Sequence, residues 1–249
     1  MRTRRSYAGP ALAFAVAIAQ AACSGQGLNL NSALGAAGHA VNAVTLTDGQ
    51  VKNMASDAAV QADKENKVAP PNNPYAVRLK KIIGKHTSVN GTALDYKVYL
   101  TEDVNAFAMA DGTVRVYSGL MDMMTDDELR FVIGHEVGHV IEGHSAEKMR
   151  VAYGTTAARA GVAAVGGTAA QLASSQLGDL TEAVINAQFS QSEELEADAF
   201  GLKFMKQNGY PAKAAPSALR KLAQGGGGGG FLASHPDANE RADKLEAAM

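Results

Sequence analysis

The sequence predicts an α+β protein, mainly helical, with a small β-hairpin or sheet set beside one well-capped helix. Three observations predict it. Helix-period segments with recognisable starts and stops fill most of the chain beyond residue 45. Strand-period alternation is confined to residues 94–117. Directly after that patch, TDDE (Thr125 to Glu128) opens a helix with a capping box.

Asp48 to Lys64 carries good helix formers with scattered apolar positions, and APPNNP (Ala69 to Pro74) breaks it. A second helix is expected over Tyr75 to Lys85, with Val77, Leu79, Ile82 and Ile83 toward its inner face. Leu94 to Leu100 (LDYKVYL) alternates with strand period. Val104 to Ala110, then Asp111-Gly112, then Thr113 to Tyr117 reads as a hairpin, because Asp-Gly supplies a tight turn. At the capping box, the Thr125 hydroxyl and Glu128 carboxylate satisfy free N–H groups, and Asp126 and Asp127 suit the positive end of the helix dipole. That helix is expected to run through FVIGHEVGHVIEGH (Phe131 to His144), to about Gly143 or beyond. Ala152 to Leu177, rich in small residues, is expected as a packed or mobile helical segment; Arg159 and many small polar residues argue against a membrane span. A long helix follows over Leu180 to Asn208, ended by Asn208-Gly209 and Pro211, and another over Lys213 to Ala223. Gly225 to Gly230 reads as a flexible surface loop, and Pro236 suits the first turn of a last helix.

At 249 residues the chain can bury a sizeable core. A net charge of −2 without a basic stripe gives no case for nucleic-acid binding. Arg2, Arg4 and Arg5 precede an apolar run, Ala8 to Ala19, that is too short to span a bilayer. The single cysteine, Cys23, ends QAAC, and a small-small-Cys ending resembles a bacterial lipoprotein signal in which the cysteine is acylated. Residues 1–22 are therefore expected as a signal peptide, 23–44 as a flexible tether and 45–249 as the folded domain. Ser24 is compatible with outer-membrane sorting, by resemblance to that class. Gln20 departs from the lipoprotein pattern; cleavage near Ala19-Gln20-Ala21 would instead give a soluble periplasmic protein.

Three of the chain's six histidines lie in FVIGHEVGHVIEGH. Within it, His135-Glu136-Val137-Gly138-His139 forms HExxH. Residues four apart share one helix face, so two imidazoles can grip one zinc while Glu136 reaches an attacking water. His144 stands about 140° round a continuous helix from His139 and is not expected as a ligand. A third protein ligand is expected from SEELEAD (Ser192 to Asp198), which offers Glu193, Glu194 and Glu196. Only Glu194 has an aspartate four residues on, at Asp198. One carboxylate would then bind metal while the other accepts an imidazole N–H and fixes its tautomer. The bland alternative is an exposed acidic face.

HEVGH together with ELEAD, which fits ExxAD, resembles the M48 family of zinc metallopeptidases, and in particular its small periplasmic, outer-membrane-anchored branch. NAFAMADGTVRVYSGLM (Asn105 to Met121) and SHP…R (Ser234 to Arg241) extend the resemblance over roughly residues 70–249. It implies a zincin-type domain holding one Zn2+ per chain on His135, His139 and Glu194, with Glu136 as the catalytic base. It also implies that His235 stands near the zinc and donates to the tetrahedral intermediate, with Arg241 and Asp198 in support. Asn105, Ala106, Phe107 and Ala108 would line the cleft and bind an extended substrate by β-augmentation, which favours unfolded chains over particular sequences. Phe107 and Met109 have an alternative as hairpin core. The hexaglycine tract departs from the family pattern; it would let His235 swing onto the zinc and hold the enzyme latent.

The function so implied is an envelope zinc endopeptidase acting on misfolded or unassembled proteins. A chaperone-like module using the same groove with little proteolysis is the alternative. A passive lipoprotein with a structural zinc is a third, opposed by the motif itself, since structural sites are closed by four ligands and lack a poised glutamate.

Overall fold

The computed structural model describes residues 46–160, 174–225 and 230–249. The expected signal peptide, tether and Cys23, the middle of Ala152 to Leu177 and most of the hexaglycine tract lie outside the described residues.

Helix α1 (Asp48–Glu65) starts at a capping box formed by Thr47 and Gln50. Helix α2 (Pro74–Ile83) is capped by Asn73, has Pro at its first turn and stops at Gly84, whose φ is +56°. Leu79, Ile82 and Ile83 are buried as expected, but Val77 is 54% exposed: it falls on the outer face of the helix. A short ribbon, β1 (Ser88–Val89) with β2 (Thr92–Ala93), precedes a three-stranded sheet of β3 (Asp95–Tyr99), β4 (Ala106–Ala108) and β5 (Thr113–Tyr117). The hairpin forms as the Asp-Gly signal predicts, with Gly112 at φ +96°. Its second strand then takes the centre of the sheet, pairing in parallel with β3, so the order is β3-β5-β4.

Strand alternation divides the core. Val98, Ala106, Ala108, Val114 and Val116 point into one apolar cluster. Tyr99 and Phe107 point into the other. The first cluster is built from α2, α3 (Ser118–Met123), α4 (Asp126–Ile141), α7 (Gln191–Gln207), α8 (Ala214–Gly225) and α10 (Ala238–Ala247). The second is built from α1, α5 (His144–Ala160) and α6 (Ser174–Asn186). Phe107 and Met109 are buried in that second cluster, with the Phe107 ring 6.1 Å from Tyr99. No helix among the described residues is long and apolar enough to cross a membrane.

Three expectations need correction. The capped helix α4 ends at Ile141, because Gly143 (φ +86°) turns the chain and α5 begins afresh at His144. The single long helix over residues 180–208 is two helices, α6 and α7. Ser190 caps the second: its hydroxyl accepts from Glu193 N while the Glu193 side chain returns to Ser190 N, and Phe189 N donates away to Ser234 O. Pro236 lies outside the last helix, which follows Asp237, a residue in the left-handed region at φ +60°.

Candidate metal centre

Helices α4 and α7 approach closely because glycine lies at the contact. A Cβ on Gly138 would meet Ala197 Cα at 3.1 Å, and one on Gly201 would meet His135 N at 3.2 Å. The contact lays SEELEAD against HExxH. Each of its glutamates has a separate fate. Glu193 closes the helix cap, and Glu196 reaches the His144 ring, with Oε2 at 3.1 Å from Nε2. Glu194 is buried, with Oε1 at 3.5 Å from His139 Nε2 and Oε2 at 3.7 Å from His135 Nε2.

The two HExxH imidazoles face each other, Nε2 to Nε2, at 3.1 Å. Two nitrogens sharing a tetrahedral zinc at about 2.0–2.1 Å stand about 3.3 Å apart. Each ring's other nitrogen is held from behind. Asp198 Oδ1 accepts from His135 Nδ1 at 2.9 Å, and Arg241 clamps both Asp198 oxygens at 2.7 and 2.8 Å. His139 Nδ1 meets His144 Nδ1 at 3.0 Å, and His144 passes the contact on to Glu196. Sequence reasoning set His144 aside as a ligand and missed this orienting contact. The chain turn at Gly143, invisible in an angle count on a continuous helix, brings His144 back onto His139.

His235, from the segment after α9 (Phe231–Ser234), enters the same cluster. Its Nδ1 lies 2.8 Å from Glu194 Oε1 and 3.3 Å from His135 Nε2, and its Nε2 lies 3.4 Å from Glu136 Oε1. One donor atom each from His135, His139, Glu194 and His235 fall within 4.8 Å of one another. Arg241 also reaches Glu194.

Burial shapes the charge states. It drives His139 and His235 well below the usual histidine range, leaving neutral rings with lone pairs to offer. Burial also raises Glu136 to about 7, against the pull of the His135 charge and with added repulsion from Glu194. Asp198 would rise for the same reason, but hydrogen bonds from Arg241 and His135 outweigh burial and hold it at about 2. Glu136 Oε1 is buried with no hydrogen-bond partner. A carboxylate kept from water beside neutral imidazoles fits a cationic centre and an attacking water.

The sheet presents its edge to this cluster. Asn105 O accepts from Tyr117 N, and Met109 N donates to Thr113 O, so Ala106 and Ala108 turn their main-chain groups away from β5. Two of those groups are already taken: Asn105 Oδ1 accepts from Ala106 N at 2.9 Å, and Ser145 Oγ donates to Ala108 O at 3.1 Å. Between the edge and Glu136 lies a cavity of about 20 Å³, also bordered by Lys148, Phe189 and His235. That is room for roughly one water. Phe189, unremarked in the sequence, stacks on His139 with centroids 3.5 Å apart.

A mainly helical fold wrapped round such a donor set defines a metallopeptidase. The chain belongs to peptidase family M48, whose family model matches residues 76–249. It is 41% identical over 242 residues to the metalloprotease LoiP of Escherichia coli (strain K12), covering 96% of each chain. Identity to the metalloprotease YcaL of the same organism is also 41%, over 238 residues and 94% of each chain. The mitochondrial metalloendopeptidase OMA1 of Schizosaccharomyces pombe is 29% identical over 209 residues, 78% of this chain and 60% of that one. The protein is therefore a metalloendopeptidase, and zinc is the metal of its family.

Proposed function

We propose that this metalloendopeptidase works in the bacterial cell envelope, cutting misfolded or unassembled proteins, and is anchored to the outer membrane, facing the periplasm, by a lipid on Cys23. His135, His139 and Glu194 would hold one zinc ion, which supplies a Lewis acid that acidifies water to a pKa of about 7 and polarises the scissile carbonyl. Asp198 and Arg241 keep the His135 proton on Nδ1, so that Nε2 faces inward. Glu136 would take the proton of the attacking water and hand it to the leaving amine; burial raises its pKa, which suits a group that acts first as base and then as acid. His235, buried beside Glu136 and Glu194, would turn a ring N–H toward the oxygen on which charge develops. Ala106 O and Ala108 N would receive the main chain of an extended substrate.

The observation that carries this reading is the unpartnered Glu136 oxygen, buried beside the His–His–Glu set. A closed four-donor site would suit a structural zinc, and His235 supplies a fourth donor; a poised, unsatisfied Glu136 has no place in such a site. Casein cleavage by the mature domain tests the proposal. Activity lost in Glu136→Gln, and restored to the chelated wild type by zinc, is the expected result. Stoichiometric zinc with no cleavage would move the chaperone-like reading ahead.

A further inference from the structure

Among the described residues that line the cavity beside Glu136, Lys148, on α5, is the ionisable side chain that the hydrolytic machinery does not use. Its stem is half-buried, and it supplies the ammonium in the wall of the cavity beside Glu136. The ammonium lies over the Phe189 ring, 3.0 Å from the centroid, and donates to Ala187 O. His139 already covers one face of that ring, so the ammonium takes the other, one aromatic ring away from the donor set. Among the described residues it has no carboxylate partner.

An amine in this position is costly. Burial lowers it from 10.5 to about 7, although Glu136 and Glu194 pull the other way. Structural lysines of this kind are normally paired or kept in water. A loop strut needs only the stem and the Ala187 contact, which a neutral side chain could largely replace. An ammonium facing a cleft instead gains most when a carboxylate enters and completes the pair in low dielectric.

We propose that Lys148 is a specificity-determining residue: its ammonium receives a carboxylate that the substrate carries next to the bond being cut. The proposal rests on the peptidase reading above. The carboxylate has two sources, an Asp or Glu side chain or a free chain terminus, and the chemistry of recognition is the same for both.

Internally quenched peptides of one core sequence, with Glu, Gln or Lys scanned through the positions flanking the cut, test it. Each is made with a free and with an amidated C-terminus. At one position the wild type should cleave the Glu peptide with about tenfold higher kcat/KM than the Gln peptide, the gain lying in KM, as one charge-assisted hydrogen bond gives. Lys148→Met, which keeps a long stem on the Phe189 face, should lose that preference while holding kcat on the Gln peptide. Lys148→Glu should favour the Lys peptide. A preference for the free over the amidated C-terminus, whatever the scanned residue, assigns the chain terminus; a Glu-over-Gln preference that persists on amidation assigns the side chain.

A wild type indifferent to charge at every position overturns the proposal. So does a Lys148→Met variant whose kcat falls equally on all peptides, since that marks a strut. If nothing is cleaved, the peptidase reading fails separately. Binding of the same peptides to zinc-loaded Glu136→Gln, read by fluorescence anisotropy, then decides about Lys148: tighter binding of Glu over Gln, abolished by adding Lys148→Met, upholds it, and equal binding ends it.

Discussion

Two Arg–Asp pairs, each built on a buried arginine, brace this molecule, and they differ in one respect. Arg115, in the middle of β5, reaches both oxygens of Asp63 on α1 at 2.8 and 3.0 Å. Its remaining donors go to Asp95 and to main-chain oxygens, while Lys97 and Tyr99 complete Asp63. Every group is satisfied. Arg241 grips Asp198 in much the same way, but the polar cluster around it does not close: the Glu136 oxygen stays unpartnered. The first network spends its polarity fastening a helix to the sheet. The second leaves some over for a reactant, and leftover polarity in a dry interior marks chemistry.

Breaking the two networks should therefore give different phenotypes. The largest effect is expected from Glu136→Gln: cleavage should fall by about 10²–10⁴-fold, the range for a positioned acid–base group, with zinc content and melting temperature kept. Retained activity would remove Glu136 from the reaction. In the other network, Arg115→Ala should cost about 1.5–3 kcal/mol in chemical denaturation, because it removes both guanidinium bonds from Asp63 and leaves only Lys97 and Tyr99 to hold it. Any folded fraction should bind zinc normally.

Asp198→Asn falls between these. It keeps the shape but weakens the grip on His135 Nδ1, so zinc affinity should drop by about 10–100-fold in chelator competition, and melting temperature should fall as buried Arg241 loses its charge partner. His235→Ala should alter cleavage several-fold: a rise in basal rate supports a latch on the donor set, and a plain loss supports only the donating role. The smallest effect concerns acid. Burial would raise Asp63, but hydrogen bonds from Arg115, Lys97 and Tyr99 bring it down from 3.8 to about 2. A depressed folded-state pKa gives stability that is complete above the unfolded value and fades as pH falls toward 2. Melting temperature should thus decline from about pH 4 downward in the wild type, and more shallowly in Asp63→Asn.

Where the signal is local, the sequence speaks clearly. Thr125 and Glu128 announce α4, Asp111-Gly112 announces the hairpin, and the four-residue spacing of His135 and His139 announces a shared face. Glu194 is singled out by its spacing to Asp198. What escapes is whatever depends on distant partners. The break before Ser190 needs Ser234 as an acceptor, and the return of His144 depends on a turn that only Gly143 signals. Asp63 and Arg115 lie 52 residues apart, and neither advertises the other. Lys148 is another case: one charge among many in the chain, distinctive only once Phe189 is beneath it.

The edge of β4 has a further consequence. With Asn105 holding Ala106 N and Ser145 holding Ala108 O, the strand offers a visitor just two main-chain partners, Ala106 O and Ala108 N. Two such bonds contribute about 1–3 kcal/mol together. That is too little to peel a strand from a native sheet and enough to detain a loose chain while Glu136 acts. On the proposed reading, a handhold of two bonds makes the looseness of the client the first thing tested, before any side chain is read.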